Sequence, residues 1–263
     1  MIPQRYIIEW RHIAPWTNDA QVEQDLVISR ALVEMFQSEL LRNALAFRGG
    51  TALHKLFIAP QVRYSEDIDL VQISSEPIKP ILMEIRKRLA FLGTKRVVKQ
   101  HIHNNTILYR FESEMPPIVN LRLKIEINTR EHFSVLGLQD FPFRVENSWF
   151  SGETTINTYK LEELLGTKLR ALYQRRKGRD LFDLYWSLKQ GNVDLEQVLA
   201  CYQKYMEFVV DKVPSKKQFL ANMEDKMQDQ EFLSDMRAII RPGINYSPQE
   251  AWTLVKEKLV DLL

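Results

Sequence analysis

The chain has 263 residues, 45% apolar and 27% charged, the make-up of a soluble globular protein with ample core rather than of a disordered or fibrous one. A formal net charge of +2 supplies no global field for a polyanion, so any nucleic-acid surface has to be local. The single cysteine, Cys201, excludes internal disulfides and a Cys-based zinc site. The five histidines form no HExxH-like pair, and no run approaches the ~20 apolar residues of a membrane span. The start, Met1-Ile2-Pro3-Gln4-Arg5, lacks the basic-then-apolar pattern of a secretory signal, so a cytoplasmic protein without membrane contact is expected.

Taken in chain order, Asn18 to Ala44 has apolar residues at mixed three- and four-residue intervals and reads as one helix, with Asn18 and Gln21 spaced as a capping box. A short apolar run, Ala44 to Phe47, leads into Gly49-Gly50, and Thr51 to Phe57 reads as a brief helix. Asp67 to Ile73 is a strand, and Pro77 to Leu92 a helix with Ile81, Ile85, Leu89 and Leu92 on one side. Arg96 to His101 and Thr106 to Glu112 flank His103-Asn104-Asn105 as a hairpin. Ile118 to Asn128 alternates as a strand, with Leu121, Leu123, Ile125 and Ile127 on one face. From Lys160 onward the pattern is helical: Leu161 to Tyr173, Asp180 to Leu188, Leu195 to Val210, Lys216 to Met227 and Pro248 to Leu262. The expected fold is α+β, a small mixed sheet with helices over residues 1–158 followed by an all-helical part over 159–263. Trp10 and Trp16 read as anchors of the N-terminal segment, with base stacking as the alternative.

Glycines let a backbone approach polyphosphate closely, and the free N–H groups at a helix start favour anions, so strand–Gly49-Gly50-Thr51–helix reads as a phosphate cradle. By itself this is equally a plain turn and cap. Asp67 and Asp69 flank Ile68 on a strand, so period-2 alternation directs both carboxylates to one side. Like charges so placed repel unless a cation lies between them, and Mg²⁺ is such a cation, held by carboxylates and substrate phosphates. Glu126 stands on the same face of its strand as Lys124 and Asn128. It is either a third metal-holding carboxylate or half of a Lys124–Glu126 surface pair.

These residues resemble a known family. Phe47-Arg48-Gly49-Gly50-Thr51-Ala52-Leu53-His54-Lys55-Leu56 and Arg63-Tyr64-Ser65-Glu66-Asp67-Ile68-Asp69-Leu70 look like the first motif of the AbiEii/AbiGii toxin family of nucleotidyltransferase-like proteins. Lys124-Ile125-Glu126 is similar to the second, Lys168-Leu169-Arg170-Ala171-Leu172 to the third, and Arg179-Asp180-Leu181-Phe182-Asp183-Leu184 to the fourth. The likeness runs from Phe47 to Trp186, with Thr51 where the wider superfamily often has Ser and Glu126 where many polymerase-type relatives have Asp. It implies a DNA-polymerase-β-like core, NTP and Mg²⁺ as cofactors, and the toxin role in a type IV toxin–antitoxin or phage-defence pair with a cognate antitoxin. Some relatives modify tRNA acceptor ends, which makes tRNA the expected acceptor.

The third and fourth motifs also carry chemistry of their own. Lys168 lies in the apolar run Leu164 to Leu172, which points its ammonium inward, toward a triphosphate on the functional reading. Asp180 and Asp183 begin the next helix, where negative charge suits the dipole, and one of them is expected to meet Lys168 or the nucleotide. Arg170, Arg175, Arg176, Lys177 and Arg179 form a basic patch, either an RNA surface or cations paired with nearby acids. The expected site therefore has Asp67, Asp69, Lys168, Asp180 and Asp183 in catalysis, with Gly49, Gly50, Thr51, Ser65 and Lys124 on the nucleotide. Asp67, Asp69 and Glu126 would hold metal in a cleft between the two parts. Two other readings stay open: transfer to a small molecule or protein, and a non-catalytic RNA- or partner-binding protein.

Overall fold

A computed structural model describes residues 2–263. The chain divides into two compact units, one of Met1–Phe133 with Leu138–Tyr159, the other of Ser134–Gly137 with Lys160–Leu263.

In the first unit, α1 (Gln4–Trp10), α2 (Asp19–Phe36) and α3 (Glu39–Ala44) precede β1 (Leu45–Arg48). The helix expected across Asn18 to Ala44 is thus two, broken at Gln37-Ser38. Ser38 leaves helical backbone angles as the N-cap of α3, and its hydroxyl donates to Glu84 at 3.0 Å, so a tertiary bond holds the break. Asn18 does cap α2, accepting from Ala20 N–H at 2.9 Å. Trp10 and Trp16 are buried, and Trp10 Nε1 donates to Asp25 at 2.9 Å. Both are anchors.

Directly after Arg48 the chain enters α4 (Gly49–Ala52), which widens into a π-helical turn over Leu53–Phe57. There follow β2 (Asp67–Gln72), α5 (Lys79–Arg88), β3 (Arg96–Gln100), β4 (Asn104–Glu112), β5 (Asn120–Asn128), β6 (Leu138–Asn147) and β7 (Phe150–Tyr159). The sheet is mixed, as expected, but has seven strands in the order β3-β4-β5-β2-β1-β7-β6 rather than being small. The β6–β7 hairpin accounts for the difference. It turns at Ser148-Trp149, without the glycine that would mark it in sequence, because Asn147 Oδ1 accepts from Trp149 N–H at 2.9 Å.

Alternation along β4 and β5 buries Ile107, Tyr109, Leu123, Ile125 and Ile127 on the face covered by α2. Gln24 of α2 donates to Arg122 O at 2.7 Å, tying the helix to that layer. The opposite face of β2 and β5 carries Asp67, Asp69, Lys124 and Glu126.

The second unit contains α6 (Leu161–Gln174), α7 (Gly178–Gln190), α8 (Leu195–Val209), α9 (Lys216–Lys226), α10 (Gln230–Ser234) and α11 (Pro248–Lys258). Its loop Ser134–Gly137 is fastened to α6, where buried Glu163 accepts from Ser134 Oγ, Val135 N–H and Leu136 N–H at 2.7–2.9 Å. Among the described residues no helix is long and apolar enough to cross a membrane.

Candidate active site

The sheet register builds the site in the first unit. β1 runs antiparallel to β2 with Arg48 opposite Asp69, and β2 runs parallel to β5 with Asp67 opposite Lys124 and Asp69 opposite Glu126. Arg48, Asp69 and Glu126 therefore form one row across three strands, with Asp67 and Lys124 in the next row. Neighbouring rows on one face lie about 7 Å apart and neighbouring strands about 4.8 Å. Strand alternation brings the two aspartates to one face, and pairing with β5 brings Lys124 and Glu126 to the same face.

The glycines fit this row closely. Gly49 has φ +81°, and an added Cβ would stand 2.1 Å from Asp69 Oδ2. At Gly50 the same addition meets Arg63 Nη2 at 2.4 Å and Ser65 Oγ at 3.2 Å. Thr51 is buried and its hydroxyl donates to Asp67 O at 2.5 Å, with Ser65 Oγ 2.8 Å away. A hydroxyl has one proton to give, so Thr51 uses it to fasten the start of β2 to the glycine turn. Arg63, itself buried, donates to Tyr64 O at 2.9 Å. Arg48 bonds Glu131 at 2.5 Å. Burial opposes its charge, but the carboxylates of Glu131 and Asp69 outweigh that and raise its pKa.

Asp67, in the adjacent row, is a perturbed acid. Burial raises its carboxyl to about 6, Lys124 pulls it down, and the neighbouring charges of Asp69 and Glu66 push it up. One of its oxygens, Oδ1, is buried without a hydrogen-bond partner. Lys124 Nζ lies 3.4 Å from Asp67 Oδ2 and 2.7 Å from Glu126 Oε2. Burial opposes its charge, yet the bond to Glu126 and the attraction of Asp67 raise its pKa.

Asp67 and Asp69 suit a divalent ion, since an unsatisfied buried carboxylate oxygen beside a second carboxylate is stabilised by a cation. The expected set of three carboxylates is not assembled: among the described residues no three His, Cys, Asp or Glu converge to hold a metal. The reason is Lys124, whose ammonium lies between Asp67 and Glu126, while Asn104 Nδ2 donates to the other Glu126 oxygen at 3.3 Å.

The second unit brings Lys168, Asp180 and Asp183 together. Lys168 Nζ is 3.2 Å from Asp180 Oδ1 and 2.8 Å from Asp183 Oδ2, and both aspartates are fully buried. Arg175 adds a two-pronged bond to Asp180 at 2.6 and 2.7 Å. The other arginines of the basic patch are also engaged. Arg176 pairs with Asp225 and Asp229, and Arg179 with Asp235 at 2.8 Å. Arg170 lies over the Tyr205 ring at 5.1 Å, and Lys177 is exposed. Arg175, Arg176 and Arg179 thus stand paired with Asp180, Asp225, Asp229 and Asp235.

Sequence reasoning passed over Arg48, Arg63 and Lys55. Lys55 Nζ donates to Asp25 and Ser29 at 3.0 Å in a buried ion pair beneath the π-helical turn. The signal was there: Asp25 and Lys55 are charges set among apolar helix residues, which requires a partner.

The matches to known proteins follow the same outline. The AbiEii nucleotidyltransferase toxin family of type IV toxin–antitoxin systems matches residues 30–255. The structure resembles that of MenT4, a nucleotidyltransferase toxin from Mycobacterium tuberculosis H37Rv, with TM-score 0.68 and 15% identity over 100% of this chain and 91% of that one. It also resembles a protein from H. pylori assigned as a nucleotidyltransferase, with TM-score 0.54 and 16% identity over 93% and 95% of the two chains. At such identities the likeness speaks for the fold. None of the curated proteins matches the sequence. With the family match spanning most of its length and the Gly49-Gly50 turn set against the Asp67–Asp69 strand, the chain belongs to the AbiEii family of type IV nucleotidyltransferase toxins.

Proposed function

We propose that the chain transfers a nucleotide from an NTP to a hydroxyl of an RNA acceptor, tRNA foremost, with release of pyrophosphate, and that it is a toxin restrained by a cognate antitoxin. The observation that carries this reading is the row Arg48–Asp69–Glu126 beside Asp67–Lys124, closed at one end by Gly49, where any Cβ would run into Asp69. Asp67 and Asp69 would hold Mg²⁺, which when bound neutralises triphosphate charge and acidifies the attacking hydroxyl.

The chain's own groups do the remaining work. The Gly49-Gly50 backbone allows phosphate oxygens to approach N–H groups without steric obstruction. Thr51 supports that turn through its bond to Asp67 O, with Ser65 Oγ beside it. Lys124, fixed by two carboxylates, offers a cation to developing negative charge. Asp67, with Oδ1 buried and without a hydrogen-bond partner, is the carboxylate a bound cation would satisfy, and the proton of the acceptor hydroxyl passes to solvent. Lys168, Asp180 and Asp183 enter as the ion cluster that orders α6 against α7, a positioning role in the second unit.

Incubation with labelled NTP and Mg²⁺, alone and with bulk tRNA, tests the proposal. Label should pass to RNA with the wild type and not with Asp69→Ala, whose fold should persist because Asp69 lies half-exposed on a strand. Undiminished transfer by Asp69→Ala would overturn the site.

A further inference from the structure

The open face of the sheet continues past the acidic row. Across β3, β4 and β5 the register sets Lys99 opposite Thr106, Thr106 opposite Glu126, and Glu126 opposite Asp69, so Lys99 ends the same row that holds the acids. The adjacent row runs from Val97 through Leu108 and Lys124 to Asp67. In the row beyond it Arg110 stands opposite Arg122. With strands about 4.8 Å apart, Lys99 lies roughly 15 Å from Asp69, a distance suited to a polymer rather than to one small substrate.

Lys99 and Arg110 are exposed, and no salt bridge among the described residues engages either. Arg122 keeps 60% of its side chain exposed and holds Glu66 only at 3.5 Å. Between the cations lie Val97, 41% exposed, and half-buried Leu108. The acids bordering this surface are Glu66, which pairs with Arg122, and Glu112 at the far end of β4. The contrast with the second unit is physical. Arg175, Arg176 and Arg179 must each break an ion pair before taking a phosphate, whereas Lys99 and Arg110 only shed water.

We propose that this face, with Lys99, Arg110 and Arg122 as phosphate contacts and Val97 and Leu108 beneath ribose or base, binds the backbone of the RNA acceptor and leads its reactive end toward Asp67 and Asp69. Cations separated by apolar surface match a polynucleotide, whose charges alternate with flat apolar bases, better than they match an evenly charged acidic segment. The proposal rests on the transfer reading above and adds to it the surface that holds the acceptor.

The test uses the full chain, labelled bulk tRNA and a labelled single-stranded RNA, with binding followed by fluorescence anisotropy across a salt series. Lys99→Glu/Arg110→Glu should weaken both RNAs by about tenfold or more and lower the slope of log K against log salt by roughly 1.4–1.8, two lost phosphate contacts. The milder Lys99→Gln/Arg110→Gln should move both quantities the same way and guards against a folding defect. Arg175→Ala/Arg176→Ala/Lys177→Ala should change little. Labelled-NTP binding, which involves neither Lys99 nor Arg110, should stay at the wild-type level in both double variants. Unchanged affinity and slope would overturn the surface, and wild-type transfer to RNA in that case would leave the transfer reading standing. Loss of RNA binding in the variants, with no transfer by the wild type, would instead support the surface and sink the transfer reading. Poly-glutamate competing as well as RNA at equal charge would reassign the face to an acidic protein and overturn the RNA proposal.

Discussion

At the scale of single residues, Gly49 and Glu23 give the sharpest predictions. Gly49 occupies the left-handed region, and any side chain there meets the Asp69 carboxylate. Gly49→Ala should therefore reduce nucleotide transfer to background by displacing Asp69, and should destabilise the first unit by roughly 1–3 kcal/mol through backbone strain. Activity assays with denaturant unfolding check both. Glu23 is fully buried. Its Oε2 accepts from Glu114 N–H at 2.9 Å, while Oε1 has no partner. Burial raises its pKa from the ordinary 4.5 to about 7. The folded state thus binds a proton that the unfolded chain has released, and stability falls as pH rises between these values, by roughly 3 kcal/mol in all. The wild-type melting temperature should decline from pH 5 to pH 8 more steeply than that of Glu23→Gln, which cannot ionise. Parallel curves would remove Glu23 as the cause.

Between elements, the ion cluster of α6 and α7 decides what Lys168 does. Its ammonium is shared by two carboxylates that have no access to water, so Lys168→Ala leaves Asp180 and Asp183 short of a cation. Breaking such a buried set costs about 3–5 kcal/mol, and the variant should melt well below the wild type. Nucleotide affinity measured at low temperature should then stay close to normal. A loss of NTP affinity with little change in melting would give Lys168 to the triphosphate instead. Lys226 works at the end of the same helix. It donates to Leu172 O and, at 2.8 Å, to Tyr173 O, and burial lowers its pKa to about 8. Lys226→Met should cost roughly 1–3 kcal/mol by leaving two carbonyls of α6 unsatisfied, read as a drop in the denaturant midpoint.

For the molecule as a whole, family membership makes growth the natural readout. Expression of the wild type should arrest a bacterial host, and Asp67→Ala or Asp69→Ala should not, at equal protein levels on an immunoblot. An arrest that persisted in both variants would place the toxicity outside the Asp67–Asp69 strand. If the open face of β3–β5 delivers RNA, Lys99→Glu/Arg110→Glu should also relieve the arrest while NTP binding is kept.

Local periodicity by itself determined that Asp67 and Asp69 share a face, because side chains on a strand alternate whatever the strand pairs with. It also determined the helical run from Leu161 onward, whereas the brief helix expected over Thr51 to Phe57 begins at Gly49 and passes into a π-helical turn at Leu53. Motif order then led to the family. Tertiary structure alone decided which strands flank Asp69, and so put Arg48 on one side and Glu126 on the other. It decided that Lys124 stands between Asp67 and Glu126, which no spacing within one strand reveals. The break at Ser38 depends on Glu84, and the β6–β7 hairpin on an asparagine turn that resembles any polar loop in sequence. The basic run from Arg170 to Arg179 invited an RNA reading because its partners are far along the chain, Asp225 and Asp229 for Arg176 and Asp235 for Arg179. Lys99 and Arg110, by contrast, belong to different strands and become one surface only by register. Charge is counted along a sequence, but pairing is a matter of distance, and distance exists only after the chain has folded.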